Sequence, residues 1–189
     1  MFARWGWKFD SWPVADFSGR WLAILAMALI LTGCSVSVPG NIEVVRPFDV
    51  ERYLGQWYEI ARLDHSFEKN MNQVSATYSL NEDGSIKVLN RGYDTRNERW
   101  KEAVGRAEFV GSRDAGALKV SFFGPFYGGY FITDLDQKNY RWVMIVGNDL
   151  DYFWILSRDK TLDPALKAPL LQRAKSLGIA TDEIIWVDQ

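Results

Sequence analysis

The sequence predicts an all-β fold, and three observations support this class. Beyond Gly55, short β-prone runs alternate with turn signals such as Asn81–Gly84 and Gly147–Leu150. Eight of these runs succeed one another at nearly even spacing, without an internal repeat or a second domain. Only at Pro164–Leu177 does the apolar spacing change from the period of a strand to that of a helix. The pattern is typical of a β-sandwich or an up-and-down barrel that carries one added helix.

The strands are expected in regular succession, each ended by a polar or glycine-containing turn. They are Gln56–Leu63, Gln73–Leu80, Ile86–Tyr93, Trp100–Val110, Ala117–Phe123, Tyr127–Leu135, Tyr140–Val146 and Asp151–Arg158. After them, Asp163 suits the N-cap of a helix, Pro164 its first position and Gly178 its C-terminal stop. A last strand is expected over Glu183–Val187.

The N-terminal region has the features of a secreted precursor. The apolar run Trp21–Leu31 follows Arg20 and is shorter than the about 20 residues that a spanning helix needs. It fits the apolar core of a secretory signal. It ends in Leu31-Thr32-Gly33-Cys34, which resembles a bacterial lipobox and implies cleavage before Cys34 and acylation of that cysteine. We therefore expect a lipoprotein signal peptide over residues 1–33 and a lipidated tether over residues 34–47.

Two further features concern this anchor. Cys34 is the only cysteine, so it cannot form a disulfide within the chain, and an exposed thiol would be a liability in an oxidising compartment. Ser35 follows it, and in the bacterial sorting pattern a residue other than Asp at that place implies delivery to the outer membrane. The sequence therefore predicts a protein anchored by lipid to the outer membrane and facing the periplasm. The alternative is an ordinary signal peptide with a chance cysteine.

Composition argues against several other function classes. The formal net charge is −2 and no basic block stands out, so a nucleic acid is not an expected partner. One cysteine and one histidine, His65, are too few for a Cys/His metal site, and no metal or other cofactor is expected. After lipidation of Cys34, no thiol is left for His65 to activate. We therefore expect no enzyme activity.

Three short motifs resemble those of a known family. Gly55-Gln56-Trp57 opens the first strand, Thr133-Asp134 lies between the sixth and seventh strands, and Arg158 ends the eighth. In this order, with a helix after the eighth strand, they resemble the motifs of the lipocalins, although Leu135 stands where an aromatic residue is common. The resemblance extends over residues 48–189, which we expect to form the lipocalin domain.

The resemblance has several structural implications. The stretches Lys119–Tyr130 and Tyr152–Arg158 are similar to bacterial, apolipoprotein D-like members of the family. Membership implies an eight-stranded antiparallel up-and-down barrel with a C-terminal helix and a short ninth strand. It implies a helical turn at Val50–Leu54 across one end, which Trp57 plugs and Arg158 covers through a cation–π contact. A lipophilic ligand, either a fatty acid or a lysophospholipid, is the implied partner.

The alternation of side chains along a strand predicts which residues face the barrel interior. Trp57 and Arg158 are taken as inward and Arg141 as outward, and matching to the family supplies the second, third and sixth strands. The expected ligand-binding residues are Ala61, Ala76, Tyr78, Val88, Asn90, Val120, Phe122, Tyr130, Trp142, Met144, Tyr152 and Trp154. The same alternation turns inward Leu63, Leu118, Ile132, Val146 and Leu156. The set describes an apolar, aromatic chamber for a small ligand; the alternative is a filled core.

Two ionisable side chains stand out in this arrangement. Glu59 is expected inside the barrel near its closed end, where desolvation would raise its pKa unless a cation or a hydrogen-bond donor compensates. A tyrosine or arginine partner is the expected compensation. His65 is expected near the open mouth, either in contact with a ligand head group or solvated on a loop.

The sequence therefore predicts a membrane-anchored carrier that stores or transports a lipophilic ligand in the bacterial envelope. Burial of an acyl chain would contribute about 0.8 kcal/mol per methylene. The alternative is an envelope-maintenance lipoprotein whose barrel is an interaction module without a dedicated ligand. A homodimer through outward aromatics such as Phe153 is a further expectation, unless Phe153 lies beneath the C-terminal helix.

Overall fold

A computed structural model describes residues 36–40 and 42–189. The expected signal peptide and the expected lipidation site Cys34 lie outside the described residues. Val36–Gln189 form one compact unit. Within the part of the chain that is described, no helix has both the length and the apolar character needed to cross a bilayer.

The unit contains nine strands and two helices. The helices are α1 (Val50–Tyr53) and α2 (Pro164–Ser176). The strands are β1 (Gly55–Arg62), β2 (Met71–Leu80), β3 (Ile86–Asp94), β4 (Arg99–Phe109), β5 (Ala117–Phe123), β6 (Phe126–Leu135), β7 (Trp142–Val146), β8 (Phe153–Ser157) and β9 (Ile185–Trp186). All eight expected barrel strands are present, and their ends differ from the prediction by two residues at most.

Strand pairing closes the sheet into a barrel. Each strand from β1 to β8 pairs antiparallel with the next, and β8 pairs back onto β1. The short strand β9 pairs with the C-terminal end of β1 and lies outside the closed ring of eight strands. The prediction of an eight-stranded antiparallel up-and-down barrel is confirmed, and closure excludes the sandwich.

The two ends of this barrel differ. Because successive strands alternate in direction, the loops 63–70, 95–98, 124–125 and 147–152 all lie at one end, which we name the mouth end. The other end, the closed end, is crossed by α1. Asp49 caps α1 through its carboxylate, which accepts hydrogen bonds from two backbone amides of the first turn.

Helix α2 packs on the outer wall of β7, β8 and β1. Leu170 and Ala174 of α2 are buried against a cluster that includes Phe153 and Ile155. Asp163 caps the helix by accepting a hydrogen bond from the backbone amide of Ala165 at 2.9 Å. Phe153 is fully buried beneath the helix, which removes it as a surface for a homodimer.

The inward assignment of strand β7 was wrong. Val143 and Ile145 belong to the inner core, whereas Trp142, Met144 and Val146 belong to the outer cluster under α2. Because α2 makes the outer wall apolar too, both faces of β7 are hydrophobic and period-2 alternation carries no direction. Arg141 lies before the strand and so gave no valid reference.

Strand β1 also departs from the predicted alternation of inward and outward side chains. Its register with β8 shifts between Glu59 and Ala61, which is a β-bulge. Beyond the bulge, Ala61 and Leu63 join the outer cluster, while the side chain of Arg62 is buried beside that of Glu59. Ala61 therefore does not line the interior.

The N-terminal segment lies on the outside of the barrel. Val36, Val38 and Val44 are partly buried against a small cluster that contains Phe131. Among the described residues, Val45 makes the first backbone hydrogen bond from this segment to a strand, donating to the carbonyl of Ile132 at 2.8 Å. The segment is therefore packed on the barrel from Val36, and from Val45 it is also hydrogen-bonded to a strand.

Candidate functional site: the barrel interior

The closed end is sealed by Trp57 and Arg158. Trp57 is fully buried, and its Nε1 donates to the carbonyl of Tyr53 at 2.8 Å. The guanidinium carbon of Arg158 lies 3.9 Å from the centroid of the Trp57 ring, the cation–π contact predicted from the motif. Arg158 also donates to the carbonyls of Gln56 at 2.8 Å, Arg52 at 2.8 Å and Tyr53 at 3.1 Å. One side chain therefore ties α1 and β1 to the end of β8.

The glycine of the first motif has a conformational reason. Gly55 has a φ of +92°, in a region that side chains rarely adopt. A Cβ there would lie 3.4 Å from Nη1 of Arg158. Gly55 therefore permits both the turn from α1 into β1 and the close approach of Arg158.

Asp134 of the second motif lies on the outer wall rather than in the chamber. Its carboxylate accepts from Nε of Arg173 at 3.0 Å to each oxygen. Arg173 belongs to the last turn of α2, so this pair fastens the helix to the barrel. Its neighbour Thr133 donates a hydrogen bond to the carbonyl of Met144 at 3.4 Å.

Three tyrosines form the polar floor of the interior. The hydroxyl oxygen of Tyr130 lies 2.5 Å from that of Tyr53 and 2.8 Å from that of Tyr78. Burial raises the pKa of all three hydroxyls above the ordinary value, so they are neutral at physiological pH. The floor therefore offers hydroxyl groups without charge.

The inner wall combines fully buried and partly buried side chains. Val88, Leu118 and Ile132 are buried in the inner core, and Ile145, which pairs with Trp154, is fully buried as well. Several inner side chains keep accessible surface, namely Ala76, Val120, Phe122, Tyr130 and Trp154. These are the inner positions at which a ligand could contact the wall.

Of the twelve expected pocket residues, eight face the interior. Ala76, Tyr78, Val88, Val120, Phe122, Tyr130 and Trp154 belong to or pack on the inner core, and Asn90 pairs with Ala76 on the same face. The Oδ1 atom of Asn90 is buried and has no hydrogen-bond partner among the described residues. Tyr152 lies at the mouth rim, where its ring stacks 5.9 Å from His65.

A buried ionic cluster, which we name the mouth cluster, lies on the inner wall near the mouth. Arg62 donates to Oε1 of Glu59 at 2.7 Å and to the carbonyl oxygens of Glu68 and Met71, both at 3.1 Å. Trp154 donates from Nε1 to Oε2 of Glu68 at 3.1 Å. The sequence predicted an inward Glu59 with a tyrosine or arginine partner, but it placed that carboxylate near the closed end, which was wrong. It did not predict Arg62 or Glu68, because both depend on the bulge and on the path of the loop 63–70.

The mouth cluster holds two carboxyl groups and one guanidinium. Burial raises the pKa of Glu59 well above its ordinary value, and the nearby charge of Glu68 raises it further against the opposing effect of Arg62. Burial also raises the pKa of Glu68, although the hydrogen bond from Trp154 and the charge of Arg62 oppose the change. The cluster therefore favours retention of a proton on this pair of carboxyl groups.

His65 is buried in the loop 63–70 rather than solvated. Its ring stacks on Phe67 with 4.0 Å between centroids and lies 5.0 Å from Trp154. Burial and the positive charge of Arg62 lower its pKa from 6.5 to about 4. Neither ring nitrogen has a hydrogen-bond partner in the described chain, although Nε2 lies 3.2 Å from Oε2 of Glu68. The loop thus carries a neutral histidine into the mouth.

The C-terminal residues close a gap in the wall beside the mouth cluster. Direct pairing of β1 with β2 ends at Tyr58 and Ser75. Beyond that point the amide of Gln189 donates to the carbonyls of Glu59 at 2.6 Å and Val74 at 2.8 Å. Together with the Arg62 hydrogen bonds, these contacts replace the missing strand pairing.

The described residues contain no arrangement suited to a metal ion. Within residues 36–40 and 42–189, no group of three or more His, Cys, Asp or Glu side chains is placed to hold one. One outer groove of about 290 Å³ lies at the start of α2, beside Trp142 and Leu166. A second of about 200 Å³ lies on the outer wall beside Tyr58 and Trp100. Both are separate from the interior.

Comparisons with known proteins agree with this architecture. The lipocalin-like domain family matches residues 48–189. "Outer membrane lipoprotein Blc" of Citrobacter freundii is 47% identical over 167 residues, which cover 88% of this chain and 94% of the relative. "Apolipoprotein D" of Mus musculus is 34% identical over 149 residues, covering 75% of this chain and 77% of the relative. The solved structure of insecticyanin from the tobacco hornworm Manduca sexta has a TM-score of 0.64 at 20% identity, covering 82% and 88% of the two chains.

These relatives bear on location as well as on fold. The predicted lipid anchoring at the outer membrane is confirmed by the bacterial relatives, which are outer membrane lipoproteins. The family and the names of its members point to a binding protein rather than an enzyme. The family matches three quarters of this chain, and the bacterial relatives match most of it. This chain therefore belongs to the lipocalin family.

Proposed function

We propose that this chain stores or transports a long-chain lipophilic molecule, a fatty acid or a lysophospholipid, in the bacterial envelope. The observation that carries the proposal is the set of partly buried apolar side chains on the inner wall, together with the uncharged floor formed by the three tyrosines. An acyl chain lying along Ala76, Val120 and Phe122 would gain about 0.8 kcal/mol per buried methylene. A ligand of this kind needs no catalytic group.

The polar groups of the upper wall suit the head of such a ligand. Asn90 has an unpartnered carbonyl oxygen among the described residues, and the mouth cluster adds carboxyl and guanidinium groups. An acyl tail pointing toward the tyrosine floor would leave its head at this level. A few oriented polar groups in an apolar chamber are the usual composition of a ligand site.

The membrane anchor is part of the proposal. Lipid attached to Cys34 would fix the barrel at the outer membrane, facing the periplasm, where lipid is released. Replacing Cys34 by Ser should move the protein from the membrane fraction to the periplasmic fraction and abolish labelling with radioactive palmitate. A parent protein without acyl label, and a Cys34→Ser variant that fractionates as the parent does, would support an ordinary signal peptide instead.

A direct test measures lipid in the barrel. Protein extracted in mild detergent should carry lipid detectable by mass spectrometry and should take up a fluorescent fatty acid. Ala76→Trp should fill the chamber and weaken uptake by about tenfold or more, because about two methylene equivalents of chain contact would be lost. Val104→Trp, on the exposed outer wall, is the matched control and should leave uptake unchanged.

The second candidate is an envelope-maintenance lipoprotein without a dedicated ligand. A barrel that contains no lipid after extraction, and that takes up no fluorescent fatty acid, would support it. Equal uptake by the Ala76→Trp variant and the parent would also contradict binding in the mouth half of the barrel.

A further inference from the structure

One phenylalanine of the inner wall lies directly over a glycine of the neighbouring strand. Strands β4 and β5 pair Arg106 with Ser121, and the same register sets Gly105 opposite Phe122. Both belong to the inner face, because Gly105 also pairs with Val88 of the inner core and Phe122 packs against that core. The glycine is buried, whereas the phenylalanine keeps part of its surface accessible. The two residues therefore form a cross-strand pair inside the barrel.

The ring of Phe122 occupies the space that a side chain at residue 105 would need. A Cβ added to Gly105 would lie 2.8 Å from Cε1 and 2.9 Å from Cδ1 of that ring. The same Cβ would lie 2.9 Å from the carbonyl oxygen of Ser121. Two carbon atoms in ordinary contact are about 3.5–4.0 Å apart, so these separations are too short. The ring can therefore lie against the wall only because residue 105 has no side chain.

The other inner positions around this ring are small. On β4, Ala107 pairs with Val120, and Ala103 pairs with Asn90 of the inner face. On β6, Gly128 also pairs with Val120, and a Cβ there would meet only one carbonyl oxygen among the described residues beyond its chain neighbours, at 4.0 Å. Small neighbours leave the ring room to move. Its place over the glycine therefore decides how much of the chamber it leaves open.

The width of the chamber bears on which chain it accepts. The polar groups of Glu59, Arg62 and Asn90 can bond to a head group, but they do not discriminate between wide and narrow tails. At a close-packed apolar wall, by contrast, one added methyl group changes affinity by about tenfold or more. Selection among chains therefore depends on the apolar wall, where Phe122 is the large side chain among small ones.

We propose that Gly105 and Phe122 together set the width of the chamber and so determine which lipophilic chains it accepts. With the ring laid along the wall, the chamber takes chains wider than a straight alkyl chain, such as methyl-branched ones. A side chain at residue 105 turns the ring toward the barrel axis and restricts the chamber to narrow chains. This inference rests on the proposed function, because it assigns the selectivity of the site in which the lipophilic ligand would lie.

The experiment compares two ligands that differ in chain width. Hexadecanoate and its methyl-branched derivative phytanate each displace a fluorescent fatty acid from the full lipidated protein in mild detergent. The affinity of phytanate relative to hexadecanoate should fall by about tenfold or more in Gly105→Ala, because the displaced ring takes the space of the branches. Val104→Ala changes the exposed outward neighbour on β4 and is the matched control, which should keep the ratio of the parent.

A second substitution separates displacement of the ring from other effects of the added methyl group. Gly105→Ala also brings its Cβ against the carbonyl oxygen of Ser121, which should lower thermal stability. A loss of folded protein weakens both ligands equally and cancels in the affinity ratio. Because Phe122→Ala removes the ring, the double variant Gly105→Ala with Phe122→Ala should show the same ratio as Phe122→Ala alone.

The position of the ring is also measured without a ligand. With para-fluorophenylalanine incorporated at position 122, the fluorine NMR resonance should move between the parent and Gly105→Ala. It should stay in place in Val104→Ala, because that side chain lies on the outer face of β4.

Three results would overturn the inference. They are an unchanged affinity ratio in Gly105→Ala, a lowered ratio that persists in the double variant, and a fluorine resonance that does not move. A parent that binds neither chain would instead contradict the proposed function, and the fluorine resonance would still report the position of the ring. Failure of ligand binding and failure of the width assignment are therefore distinguishable.

Discussion

The two ends of this barrel differ in the hydrogen bonding of their buried polar side chains. At the closed end, Arg158 has carbonyl partners on both α1 and β1 and a tryptophan face beneath it. At the mouth end, Nε of Arg62, both ring nitrogens of His65 and Oδ1 of Asn90 are buried without a partner among the described residues. The same strands run to both ends, so the difference lies in the side chains, in the bulge of β1 and in the segments that connect the strands.

This difference separates stability from function. A satisfied, close-packed end stabilises the fold because its buried polar groups are all paired. Unpaired buried groups cost stability, and they persist where a ligand or water completes them. The mouth end therefore gives up part of the stability that the closed end supplies.

Trp57→Ala should have the largest effect on stability. It removes a fully buried ring and leaves a cavity under Arg158, so the free energy of unfolding should fall by about 3–5 kcal/mol in urea denaturation. Trp100→Ala, on the exposed outer wall near the mouth, should cost under about 1 kcal/mol. Equal losses would remove the distinction between the two ends.

Arg158→Met should be the next largest. Methionine keeps apolar contact with Trp57 but removes the donor to the carbonyls of Gln56 and Arg52 and leaves that of Tyr53 with Trp57 alone, at a cost of about 2–3 kcal/mol. Uptake of a fluorescent fatty acid at the mouth should not change. A variant that unfolds normally but loses uptake would place Arg158 in ligand binding and contradict its structural role.

The closed end was more predictable from the sequence than the mouth end. Gly55, Trp57 and Arg158 act at or next to strand ends, where a short motif and a simple alternation suffice. The helix α2 was equally clear, because Asp163 and Pro164 mark its start locally. These features depend on few residues close together in the chain.

The mouth end depends on irregular structure that alternation does not encode. The bulge after Glu59 turns Arg62 inward and Ala61 outward, and no local residue announces it. Glu68 is brought under Trp154 by the path of the loop 63–70, and a glutamate between a phenylalanine and a lysine is typical of a solvated loop. On β7, the helix outside hides the direction of the strand, which is why Met144 was assigned to the wrong face.

Acid should loosen the mouth before it loosens the closed end. The pKa of His65 is lowered from 6.5 to about 4, so between these values the unfolded state binds a proton that the folded state does not. The free energy of unfolding therefore falls as the pH falls from 6.5 toward 4. The effect is about 1–2 kcal/mol after allowance for solvent screening. Hydrogen exchange in the loop 63–70, corrected for the intrinsic rate, should accelerate in that range, while the turn 81–85 at the closed end stays protected. His65→Gln should remove the acceleration, and persistence in that variant would assign it to another group.

The smallest effect concerns the mouth cluster as the pH rises from 5 to 8. Because folding raises the pKa of Glu59 and Glu68, the folded state holds more protons than the unfolded state above the ordinary value, and stability falls as the pH rises. Glu68→Gln keeps an acceptor for Trp154 and removes one charge, so the free energy of unfolding should decline less between pH 5 and 8 than in the parent. Glu102→Gln, exposed on β4, is the control and should follow the parent. A decline in the Glu68→Gln variant as steep as that of the parent would mean that the two carboxyl groups do not share their proton. The mouth would then contain polar groups whose ionisation does not affect the stability of the fold.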